Sequence, residues 1–334
     1  MKTWQIRAAR ANDVPAMAAW LPQGATRDLP EAGIDDNRAP KELWLVAEAV
    51  GSTDVGADSG EAMVGASLRV RRAIGVERLR HWYHVGCVVH ASTELRLFHR
   101  QHTLLLGNDH TGASELADLA CDSASLTLTE QAAVVQMLLR AALLLIARDR
   151  EHYSAQLIVE LPGMRDSAGQ SPFWEGLGRH FYHGDPLQAA QRFGPVWRSY
   201  VAALLPRQLV YTSFLPPATQ AAIAQVAHDA RVMIEALSLE GLRYGHHVAI
   251  DDAGPVYEAH IDSLPIVLAA QRRRLVRRDG PRAQATTRRW LIAADAGSQV
   301  ILVRACGESQ ELHLAQAVAD FRPADAVWAV PLTD

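Results

Sequence analysis

SPFWEGLGRHFYHGD, residues 171–185, carries the clearest local grammar in the chain. Ser171 has the side chain of an N-cap, and Pro172 suits a first helical turn. Glu175 sits where the helix dipole favours negative charge. Phe173, Trp174, Leu177 and Phe181 recur at three- and four-residue spacing, which gives one apolar face. Gly176 and Gly178 are costly inside a helix, so they mark a close approach by another backbone or a ligand. The stretch predicts a helix packed across a sheet at its small residues.

Around it, the chain of 334 residues is long enough for one large domain or two to three smaller ones. Hydrophobic residues make up 49%, which supports a sizeable core and excludes global disorder. The net charge of −4 gives no nucleic-acid signature. Cys87, Cys121 and Cys306 have no CxxC spacing, which fits a reducing compartment and three small buried hydrophobes. The opening MKTWQIRAARANDVPAM has no apolar signal region. The longest apolar run, Ala132–Ala147, is interrupted by Gln136 and Arg140 and is shorter than the roughly 20 residues of a membrane span. These features predict a soluble cytoplasmic protein without a membrane partner.

Hydrophobic alternation places strands at Trp4–Ala8, Leu43–Ala49, Ala62–Val70, His81–His90, Thr103–Leu106, Leu116–Ala120 and Gln156–Glu160. Asn12-Asp13 can cap a helix from Val14, and Thr127–Arg148 reads as a long helix. Gly24–Pro40 and Gly51–Glu61 read as a loop and a linker. Pro217–Leu239 reads as one or two helices, and Arg243–Ile250 with Val256–Ile261 as strands about an Asp-Asp-Ala-Gly-Pro turn. Gln271–Arg289 holds eight arginines and reads as a solvated connector. Trp290–Asp334 alternates in short runs, a small β-rich unit. The division is 1–200 for the core, 201–270 for a second α/β segment completing the site, and 271–334 for the connector and terminal unit.

SPFWEGLGRHF, together with NDHTGASEL at Asn108–Leu116, VHAS at Val89–Ser92 and DAGPVYEAHID at Asp252–Asp262, resembles the arginine N-succinyltransferase family. The resemblance implies a GNAT-like acyl-CoA N-acyltransferase fold, mixed α/β, with a mainly antiparallel sheet flanked by helices and a β-rich C-terminal unit. It implies transfer of succinyl from succinyl-CoA, a co-substrate rather than a resident cofactor, to the α-amine of arginine or ornithine. It also implies a homo-oligomer, or a hetero-oligomer with a paralogous subunit. Leu119 falls where relatives contact succinyl-CoA through the strand backbone. The family's proton donor, a His in Gln-Val-His-Pro, falls on Ala227 of Gln225-Val226-Ala227-His228, so His228 is the candidate catalytic residue one place later.

Acyl transfer to an amine needs the CoA pyrophosphate held, the oxyanion stabilised and the amine deprotonated. The thiolate leaves easily at a thiol pKa of about 8.5, so positioning dominates. Relatives hold the pyrophosphate with a basic, Gly-rich loop. The corresponding Asp122–Glu130, DSASLTLTE, has no glycine and no basic residue, and Thr127 and Glu130 have capping-box spacing. That loop and Ala227 leave open a second reading, a non-catalytic or regulatory subunit paired with an active paralogue. Asn108, Asp109, His110, Ser114 and Glu115 form a polar cluster between apolar strands, with Asp109 and Glu115 able to meet a guanidinium. His90 and Arg179 could hold the succinyl carboxylate. Each of these polar residues serves equally well in turns and sheet-edge hydrogen bonds. His246-His247 and Asp251-Asp252 have no diagnostic metal spacing, so no metal is expected.

Overall fold

The computed structural model describes residues 3–21, 41–50, 63–277, 287–308, 310–314 and 325–332. The expected loop at Gly24–Pro40, the linker at Gly51–Glu61 and the middle of the arginine run lie outside these residues. The first half gives β1 (Thr3–Ala8), α1 (Val14–Met17), β2 (Glu42–Val50), β3 (Val64–Arg71), β4 (Trp82–Ser92), β5 (Leu97–Gly107), β6 (Ser114–Cys121), α2 (Leu128–Arg148) and β7 (Gln156–Glu160). Four short helices follow, α3 (Pro172–Gly176), α4 (Pro186–Phe193), α5 (Trp197–Ala202) and, after β8 (Val210–Tyr211), α6 (Pro217–Ala222). Then come α7 (Arg231–Leu239), β9 (Arg243–Ala249), β10 (Pro255–His260) and α8 (Pro265–Ala269). The chain closes with β11 (Gln271–Arg277), β12 (Arg288–Ala294), β13 (Val300–Glu308), β14 (Glu311–Leu314) and β15 (Ala326–Pro331).

Strands β1 to β10 form one sheet in the order β1-β2-β3-β6-β7-β10-β9-β4-β5-β8. Its pairings are antiparallel except β6 with β7. Helix α2 lies over β1, β2, β3, β6 and β7, where Val134, Leu138, Leu145 and their neighbours meet Ile6, Leu45, Leu68, Leu116 and Leu157. By length and composition α2 could cross a membrane, with 21 residues and a mean hydropathy of 1.5, yet 67% of that window is buried in the fold. Of the cysteines, Cys121 is buried as expected, whereas Cys87 is exposed.

The helix expected over 171–185 begins as the sequence predicts, with the Ser171 hydroxyl accepting from the Trp174 amide at 3.1 Å. It ends early, at Gly176, and resumes as a 3-10 turn over Gly178–His180. The close approach anticipated at Gly176 is present. A Cβ there would sit 1.9 Å from Thr219 Oγ1 on α6, and that hydroxyl donates to Pro172 O at 2.9 Å. Phe173, Trp174 and Leu177 reach the core over β4, β5 and β9, while Phe181 turns outward.

The arginine-rich connector is in part a strand. Gln271–Arg277 is β11, and β11 to β15 close on themselves in the order β12-β15-β11-β14-β13-β12. Closure leaves no free edge, and Leu275, Trp290, Ile292, Val303 and Leu312 fill the interior. This barrel joins the sheet through β13 and β1.

Candidate functional site

The parallel ladder of β6 and β7 consists of two residue pairs, Ser114↔Leu157 and Glu115↔Ile158. Beyond it β6 stays with β3, but through a bulge between Ser67 and Arg69, where Asp118 takes φ 52°. A left-handed non-glycine residue is costly, and Arg69 Nε holds the Asp118 carboxylate at 2.7 Å. Leu119 lies in the bulge with Asp118, the two standing opposite Leu68, and its side chain is buried in the core with α2. After β7 the chain continues as Leu161–Met164, with an isolated bridge from Gly163 to Val226. The Leu161 amide donates to Pro255 O on the β10 side at 3.1 Å, so alternate residues face the side that β6 leaves. There Ala227 N donates to Pro162 O at 2.9 Å and Met164 N to Gln225 O at 3.1 Å. Gln225–Ala227 thus takes over the vacated edge, and His228 begins an exposed 3-10 turn directly after it. The charges of Asp122 and Asp229 both act on Cys121, the last residue of β6, whose thiol burial pushes up to about 11.

The other edge of that segment is fixed by Asp252. Its carboxylate accepts from the amides of Gly163 and Gly254, each at 2.9 Å. Burial, and then the neighbouring Asp251, raises its pKa above the usual carboxylate range.

The start of α2 is self-satisfied. Asp122 Oδ1 accepts from the amides of Ala124 and Ser125, each at 3.1 Å. Glu130 Oε2 accepts from Thr127 N at 3.0 Å, and Thr127 Oγ1 accepts from Glu130 N. The capping box expected from the spacing is therefore present, and it occupies amides that a pyrophosphate would use.

At the opposite end of β6 a second cluster assembles. The turn Asn108–Ala113 places His110 beneath Trp82, ring centroids 5.1 Å apart, with 2% of the residue exposed. Among the described residues, neither ring nitrogen of His110 has a hydrogen-bond partner. Burial, then His247, lowers its pKa to about 4. Glu258 Oε2 stands 3.9 Å from His110 Nδ1, and the His247 ring centroid lies 4.3 Å from that of His110. A bulge brings His247 here. Tyr257 pairs with Tyr244 and Val256 with His247, which leaves Gly245 and His246 looped out, His246 at φ 58°. Gly245 makes the room, because a Cβ there would sit 2.4 Å from Glu258 Cδ.

Beside this cluster runs a buried ionic chain. Glu115 accepts from Arg71 at 2.7 Å and Arg80 at 2.8 Å, and Arg80 reaches Glu160 at 3.2 Å. Arg198 joins Glu160 to Asp251. Burial pushes the Glu115 pKa up, but Arg80 and Arg71 outweigh it and hold the carboxylate at about 2.

A sequence model of the family described as arginine N-succinyltransferase beta subunit matches residues 54–266, well over half of the chain. The chain belongs to the arginine N-succinyltransferase family. Arginine N-succinyltransferases of Salmonella paratyphi B and Salmonella newport are each 34% identical over 219 residues, or 66% of this chain. The chain spans 62% of the length of these curated relatives. The solved structure of subunit AI of the arginine/ornithine succinyltransferase from Pseudomonas aeruginosa superposes with a TM-score of 0.73 over 100% of both chains, at 19% identity, which shows a shared fold.

In this succinyltransferase family member, Asp109 and His110 come together with His247 and Glu258, which the sequence reading did not unite. Asp109 Oδ2 lies 3.2 Å from His247 Nε2. Asn108 closes the turn, its carbonyl accepting from Thr111 N at 3.0 Å. Ser114 is saturated, donating to Arg72 O at 2.7 Å and accepting from Ser154 N at 2.9 Å. Glu115 is committed to its two arginines. His90 stands exposed on the β4–β5 hairpin opposite His99, and Arg179 is exposed on Glu175 at 2.5 Å, each away from the cluster's contacts. The one signal for Glu258 in the sequence was its place in the DAGPVYEAHID block.

Proposed function

We propose that this chain transfers a succinyl group from succinyl-CoA to the α-amine of arginine or ornithine, on a GNAT-like acyltransferase fold. The observation that carries the reading is the β6–β7 ladder, which separates after two residue pairs; Gln225–Ala227 pairs with the β7 side of the split, and the β6 side, which leads to the start of α2, is left for an acyl chain. Family membership supports the same reaction class. An extended thioester fits such an opening because a strand edge offers amide donors to its carbonyl, here along β6 at Leu119. The amine nitrogen attacks the thioester carbon, the carbon–sulfur bond breaks, and the thiolate leaves with its electron pair. The proton lost by the amine passes to His228, a reading supported by its exposed position directly after the Gln225–Ala227 segment. The exposed carboxylate of Asp109 is suited to a guanidinium. With the α2 amides taken, the cofactor is held chiefly through its acyl and pantetheine end. We place the reaction in the cytoplasm, consistent with three free cysteines, and in an oligomer of this chain or with a paralogous subunit, as the word subunit in relatives' names suggests.

A thiol-release assay with the purified chain, succinyl-CoA and each amine tests this. The expected result is amine-dependent release that falls about 100-fold in His228→Ala. No release with either amine would overturn the reaction, and an unchanged rate in the variant would remove His228 from it.

A further inference from the structure

We propose that His110, His247 and Glu258 form a binding site for one divalent transition metal ion of the zinc class. One ligand atom from each lies within 4.8 Å of the others. Two imidazoles and a carboxylate are the donor set that zinc favours, at bonds of about 2.0–2.2 Å, so the three side chains need to close by roughly 1 Å around an ion.

Two further observations point to a cation. His110 is buried, yet both of its nitrogens lack a partner, an arrangement that costs about 1–3 kcal/mol per unpaired group. Coordination to one nitrogen removes part of that penalty. His247 Nδ1 lies 2.8 Å from Gly245 O, and its Nε2 lies 3.2 Å from Asp109 Oδ2. A neutral imidazole donates to only one of these. With its proton on Nδ1 and donated to the Gly245 carbonyl, the Nε2 lone pair faces the Asp109 carboxylate, two acceptors opposed. A cation between them resolves the conflict, and the Gly245 contact becomes the outer hydrogen bond that orients a metal-binding histidine. Glu258 has the corresponding support, since Gln156 Nε2 donates to its Oε2 at 2.9 Å. Asp109, with 63% of its side chain exposed, can supply the fourth ligand or leave that place to water.

The proposal shares only Asp109 with the acyltransfer reading, as an optional fourth ligand, and its test needs no activity. The full chain is dialysed against chelator, then titrated with cobalt(II) by visible absorption and with zinc(II) by calorimetry. The expected result is one ion per chain, with the intense visible bands of tetrahedral cobalt(II). Affinity should fall at least about 10-fold in His247→Phe and, separately, in Glu258→Gln. Circular dichroism shows whether each variant folds, and either folded variant suffices. His152→Ala, at a surface pair with Glu151, should leave binding unchanged. Absence of binding, binding unaffected in a folded site variant, or binding lost in His152→Ala would overturn the proposal.

Discussion

Replacing Gly163 by alanine tests how the opening beside His228 is held. Gly163 is buried between two segments, hydrogen bonded to Asp252 on one side and bridged to Val226 on the other. A Cβ there would sit 2.1 Å from Asp252 O and 2.7 Å from Gly254 N. Both are backbone atoms, so no rotamer change relieves the clash. Restoring an ordinary contact requires the segments to part by about 1.3 Å in an interior packed like a crystal. Overpacking of this kind costs about 1–3 kcal/mol. Loss of the buried bond to the Asp252 carboxylate costs about 1.5–3 kcal/mol. Together about 2.5–6 kcal/mol is expected in urea unfolding. The same displacement reaches Gln225–Ala227 and the His228 that follows; with His228 in its proposed role, about 1 Å there is worth about 100-fold in thiol release. Gly169→Ala is the control. Gly169 has φ +77° with nothing within 4 Å of the added carbon, so only backbone strain of about 1–2 kcal/mol is expected. If Gly163→Ala unfolds no more easily than Gly169→Ala, the bracing by Asp252 is not what holds this segment.

Glu115 makes stability depend on acid. Its folded pKa of about 2 lies below the ordinary 4.5, so its contribution is complete above pH 4.5 and is lost as pH falls toward 2. Arg80→Met should cost about 3 kcal/mol at neutral pH and move acid unfolding to higher pH; an acid midpoint unchanged in the variant would refute the pairing. Glu130→Gln keeps the cap but removes a charge at the start of α2. CoA should bind about fivefold more tightly by calorimetry, and equal affinities would show that this charge does not oppose the cofactor.

The local grammar of the chain was legible where neighbours in sequence decide the outcome. Ser171 caps α3, Thr127 and Glu130 form their box, and alternating residues gave most of the strands, because caps and pleats are set within a few residues. The resemblance named the family for the same reason, through contiguous motifs. What failed was set by distant residues. Gly176 packs against Thr219 of α6, and Gln271–Arg277 is a barrel strand because β14 and β15 pair with it. His247 and Glu258 meet His110 through a bulge at Gly245 that no period-two pattern foretells, since a looped-out pair shifts which residues share a face. The sequence by itself determined the elements and the kinship of this protein. The separation of β6 from β7, the bracing of Gly163 by Asp252 and the histidine cluster were decided only by tertiary structure, because each depends on strands and loops brought together from far along the chain.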